Sequence, residues 1–130
     1  MREILLTGNV DGSLTLGNEF NIVAGEDVDI YIRVLGLETV AAEARVVLAF
    51  SRKLSAPGYG GSAQLPDVLT LKDTFDTWKL RWPSVKTHNL LPGRWIYTAF
   101  YEAGDGTRVC VIPPSPMNVA PGLIMRPVGL

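Results

Sequence analysis

The dominant pattern along the chain is strict alternation of apolar and polar residues. In Asp27 to Val34, the side chains of Val28, Ile30, Ile32 and Val34 fall on one face and those of Asp27, Asp29, Tyr31 and Arg33 on the other. Period-2 alternation rich in β-branched residues predicts a half-buried strand. Ala44, Val46, Leu48 and Phe50 repeat the pattern, as do Trp78, Leu80 and Trp82 within Phe75 to Trp82. Trp95 to Tyr101 is apolar on both faces, as a central strand would be. Ala103-Gly104-Asp105-Gly106 supplies a hairpin turn, because glycine reaches positive φ without strain, and Thr107 to Ile112 returns as its partner. Weaker strands are expected at Phe20 to Ala24, Val68 to Leu71 and Met117 to Ala120. Leu37, Val40, Ala41, Ala44 and Leu48 also fit helical spacing. Leu37 to Glu43 reads as a connection with at most one helical turn, and the strand starts near Ala44.

Thirteen Gly and nine Pro punctuate 130 residues, which suits many short strands. About seven of them at this spacing predict an all-β fold, a β-sandwich, rather than a barrel or an α/β fold. Ser55 to Pro66 reads as a long flexible loop, and Pro113, Pro114 and Pro116 should break the last hairpin strand and force an edge or a bulge. At this length roughly two-thirds of the chain's surface is buried on folding, enough for one core without disulfides or metal. The expected division is an N-terminal arm at 1–18, the sandwich at 19–120 and an apolar C-terminal arm at 121–130. The tail Pro-Gly-Leu-Ile-Met-Arg-Pro-Val-Gly-Leu carries one charge, whereas solvated tails are usually polar. It therefore packs on its own sandwich, docks on a neighbour or frays. Ile4, Leu5, Leu6, Leu123, Ile124, Met125 and Val128 are the expected assembly contacts.

Charge and composition narrow the functional classes. Twelve basic and thirteen acidic residues give a net charge of −1, without the basic excess of a nucleic-acid or anionic-membrane binder. No apolar run approaches the ~18 residues of a membrane span, and the N-terminus lacks a signal-peptide h-region. His88, the only histidine, precedes a Leu-Leu-Pro-Gly turn and has no nucleophile motif to serve. Cys110, the only cysteine, alternates with valines as a small buried hydrophobe would. Glu26, Asp27, Asp29, Glu102 and Asp105 read as a solvated face, with a loop calcium site as the alternative. The rows Trp78/Trp82 and Trp95/Tyr97/Tyr101 are either sandwich core or a sugar-stacking platform. No catalytic residue, cofactor or metal site is expected.

Asn89-Leu90-Leu91-Pro92-Gly93-Arg94-Trp95-Ile96-Tyr97 resembles the corner leading into a late strand of immunoglobulin-like sandwiches, where an aromatic packs back on a Pro-Gly turn. Together with Ala24-Gly25-Glu26-Asp27-Val28 before the alternating strand, and the Ala-Gly-Asp-Gly-Thr hairpin closing on Met117-Asn118-Val119, it is similar to the small Ig-like domains of tailed-bacteriophage virion proteins. The family suggested is the upper-baseplate-type N-terminal domain, shared in outline by decoration and fibre-adaptor proteins. The chain departs from that pattern in its 55–66 insertion and apolar tails, and it stops where a baseplate protein would continue into a coiled coil or fibre.

The resemblance implies a non-enzymatic virion protein, made in the host cytoplasm. Its first expected role is capsid decoration or cement on the major capsid protein. A tail, baseplate or fibre adaptor bound to tail proteins comes second. Self-association as a homo-oligomer is expected, with neither nucleic acid nor membrane as partner. A carbohydrate-binding module, resting on the aromatic rows, is the rival from another class.

Overall fold

The computed structural model describes residues 2–11, 16–53, 62–64 and 68–122. In chain order these form β1 (Arg2–Asn9), β2 (Phe20–Val23), β3 (Val28–Leu35), β4 (Arg45–Lys53), β5 (Ser62–Gln64), β6 (Val68–Leu69), β7 (Leu71–Thr74), β8 (Thr77–Trp82), α1 (Ser84–Thr87), β9 (Gly93–Glu102) and β10 (Arg108–Ala120). One sheet has the order β1-β3-β8-β7. The other runs β2-β10-β9-β4-β5, with β6 also on β4. β1 is parallel to β3 and β2 is parallel to β10; all other pairs are antiparallel. The expected all-β sandwich is therefore present, built from ten described strands rather than about seven.

The alternation read from the sequence is what closes the two sheets on each other. Val28, Ile30, Ile32, Val34, Trp78, Leu80 and Trp82 face inward from one sheet, and Val46, Leu48, Phe50, Trp95, Tyr97, Ala99 and Tyr101 from the other, all buried. Aromatic contacts span the gap. Phe50 and Trp82 have ring centroids 4.8 Å apart, Trp78 and Tyr101 5.7 Å, and the Trp78 indole N–H donates to the Ala44 carbonyl at 3.2 Å. These rings are core, so the sugar-platform alternative for both rows is overturned.

Four other expectations change. The N-terminal arm at 1–18 is, over Arg2–Asn9, a strand laid on β3, with Ile4 opposite Ile30 and Leu6 opposite Ile32. It is locked against the body at Gly8, where a Cβ would sit 2.7 Å from the Val111 carbonyl oxygen. The Pro-rich segment does not break the last strand: β10 runs through it, and the expected bulges appear as register shifts between Cys110 and Ser115. Val68 to Leu71 divides at Thr70, where the chain crosses from one sheet to the other while Thr70 Oγ1 donates to the Val46 carbonyl at 2.8 Å. Within the expected 55–66 loop, Ser62–Gln64 is a strand, and the rest of that loop lies outside the described residues. Leu37 to Glu43 is a connection without helix and β4 begins at Arg45, in line with the expectation there.

Candidate assembly surface

Of the expected assembly contacts, Ile4 and Leu6 are only 9% and 1% exposed and belong to the core, which corrects their assignment. Leu5 alone points outward, 60% exposed. Leu123, Ile124, Met125 and Val128 lie outside the described residues. The last described residues, Pro121 and Gly122, leave the sandwich beside the β2–β3 turn, where the Ala24 amide donates to the Ala120 carbonyl at 3.0 Å.

Cross-strand register lines up the outer face of the four-stranded sheet in rows. Glu3, Asp29 and Arg81 form one, Leu5, Tyr31, Lys79 and Leu71 the next, and Thr7, Arg33 and Thr77 a third. Asp29 is buried on this outer face because Arg81 Nε reaches it at 3.1 Å and Lys79 Nζ at 3.6 Å. The hydrogen bond from Arg81 holds the carboxyl below its ordinary range against the opposing cost of burial. Lys79 also lies 5.4 Å from the Tyr31 ring centroid, and Arg33 pairs with Asp76 at 3.1 Å. The bases Arg81, Lys79 and Arg33 thus each pair with an acid, and Leu5, Leu35 and Leu71 are exposed apolar positions of this sheet.

The outer face of the six-stranded sheet carries a second ladder. Glu102 accepts from Arg45 at 2.7 Å and from Arg108 at 2.9 Å, bonds that lower its pKa, Arg45 contributing most. The Arg108 guanidinium covers the Phe100 ring at 5.1 Å. Both ion clusters depend on register, which a single sequence does not reveal, so sequence reasoning found the carboxylates but not their partners.

The corner that motivated the resemblance is built as expected. Trp95 folds back and its indole N–H donates to the Leu91 carbonyl at 2.9 Å, and Leu90 is buried. The Tyr97 hydroxyl donates to the Asn18 carbonyl at 2.8 Å, and burial pushes this phenol up to about 12. On the same side of the molecule, Thr87 Oγ1 donates to the Glu26 carbonyl, and the Asp27 carboxylate accepts the Ser84 amide at 2.7 Å. These bonds tie the β2–β3 turn to α1 and leave Val85 and Leu91 exposed.

The remaining candidates have local roles. His88 is exposed at the C-terminal end of α1. Cys110 is half-buried, its thiol donating to the Ile112 carbonyl at 3.3 Å, and burial raises its pKa. That direction opposes the thiolate form a nucleophile needs. Glu26 accepts from Arg2 and from the Val23 amide, and Asp105 accepts the Thr107 amide in the hairpin turn. Among the described residues, no three His, Cys, Asp or Glu side chains are grouped to hold a metal, and no helix is long and apolar enough to cross a membrane.

Comparison with solved structures then finds the sandwich elsewhere. The fold is shared with a phage domain. The N-terminal domain of phage TP901-1 ORF48 superposes with a TM-score of 0.52, covering 94% of this chain and 99% of that one at 9% sequence identity. No family model and no curated protein matches the chain.

Proposed function

We propose that this protein is a structural, non-enzymatic component of a bacteriophage particle, and that its sandwich works as a tail or baseplate adaptor. The observation that carries the reading is the match to the ORF48 N-terminal domain over nearly the whole of both chains. The corner and hairpin motifs resemble the same class of domain. A domain that opens a longer phage protein suits a module that attaches other parts, so the tail placement takes precedence over capsid decoration. Stiffness is what such a module offers: two sheets bridged by aromatic contacts, with both outer faces set in ion-paired rows. Many symmetric copies would make even weak individual contacts add up.

Immunogold electron microscopy with antibody to the purified protein tests both levels of the reading. Label confined to the tail or its tip is expected. Dense label over heads would move the protein to capsid decoration. Particles without label, in a preparation where an antibody to a known virion protein labels well, would reject the virion reading.

A further inference from the structure

The four-stranded sheet ends in two edges, and they differ in kind. β7 is short and irregularly paired, and it carries Lys72 and Asp73; short, bulged and charged edges discourage strand addition. β1 is eight residues long and, among the described residues, regularly paired on one side only. The Arg2 amide donates to the Asp27 carbonyl and the Val10 amide to the Leu35 carbonyl, so even-numbered residues of β1 turn their backbone groups toward β3. Alternation then turns the N–H and C=O groups of Glu3, Leu5 and Thr7 to the open edge. None of these three makes a backbone bond to another described residue outside the β1–β3 ladder.

We infer that β1 is a pairing edge for a second copy of this chain, forming a two-fold dimer whose four-stranded sheets join through antiparallel β1 strands. The occupant follows from self-complementarity. With Leu5 opposite Leu5 of the second copy, Glu3 faces Thr7, Arg2 faces Gly8 and Ile4 faces Leu6. No like charges meet, which a closed two-fold contact must satisfy at every position. The residues brought opposite with their backbone groups facing are Glu3 and Thr7, Leu5 and Leu5, and Thr7 and Glu3. Each such pair in an antiparallel ladder exchanges both N–H···O bonds. The same pairing covers Leu5, the one outward apolar side chain of β1, and extends the buried Ile4/Leu6 row across the seam.

The test is mass by light scattering over a dilution series, with any purification tag at the C-terminus, combined with amide hydrogen exchange. Wild type is expected at twice the 14.1 kDa chain mass, dissociating on dilution, with the amides of Glu3, Leu5 and Thr7 protected in the dimer. Leu5→Pro removes an N–H that faces the open edge and none that faces β3, so it should abolish the dimer while the β1–β3 ladder stays intact. Leu5→Lys, which sets two ammonium groups opposite each other without altering the backbone, should also be monomeric and decides the matter if the proline variant fails to fold. A wild-type monomer at every concentration would overturn the inference. So would a dimer that survives Leu5→Lys, or one whose Glu3, Leu5 and Thr7 amides exchange freely.

Discussion

Asp29 sits on the solvent side of its strand yet is 3% exposed, because Arg81 and Lys79 fold over its carboxylate. Its pKa is lowered, so the folded state binds the proton less readily than the unfolded chain does. The stabilisation is complete above the ordinary value of 3.8 and is lost as pH falls through the lower native value. Glu102 behaves alike, against an ordinary value of 4.5. Arg81 is 60% exposed at its side chain, so solvent screens the pair and a figure of about 1 kcal/mol is appropriate rather than that of a dry ion pair. Asn at position 29 keeps the shape but loses the charge. Asp29→Asn should lower the melting temperature by about 3–5 °C at pH 7, and the gap to wild type should close as pH falls below 3.8. A gap that stays constant with pH would mean the side chain contributes through packing alone.

At the scale of elements, β1 and β10 show where a single sequence stops being legible. β3, β4 and β8 announce themselves by alternation, since each has one face in the core, and β9 announces itself as a run apolar on both faces. β1 alternates too, but Leu5 fills its outward position and turns Ile4-Leu5-Leu6 into an apolar triplet that reads as a sticky arm. Its parallel partner β3 lies more than twenty residues away, and nothing in one sequence announces such a pairing. In β10, Pro113, Pro114 and Pro116 precede Met117, where pairing with β2 begins. Along that stretch β10 has a neighbour strand on one side only among the described residues, so missing N–H groups cost little. The two readings of β1 predict different energetics. Leu6→Ala removes a side chain 1% exposed and should cost about 2.7–5 kcal/mol, whereas Leu5→Ala, measured at concentrations too low for association, should stay within about 0.5 kcal/mol. Denaturant unfolding of the two variants distinguishes these outcomes. Near-neutral results for both would return residues 2–9 to the status of an arm.

The molecule as a whole is held by side chains that belong to both sheets at once. Trp78 leaves the four-stranded sheet to contact Tyr101 and the Ala44 carbonyl, and Phe50 meets Trp82 from the opposite side. Neither sheet can lose its partner without exposing these rings, so the sandwich should unfold as one unit. Trp78 and Trp82 report on one sheet and Trp95 on the other, and all three are at most 4% exposed. Tryptophan emission from the native protein should therefore be blue-shifted and resistant to aqueous quenchers. It should shift red in a transition that coincides with loss of the far-ultraviolet dichroism of the strands. Two separated transitions would show that one sheet persists without the other. Red-shifted, readily quenched native emission would place the indoles at the surface and restore glycan stacking as a use for them.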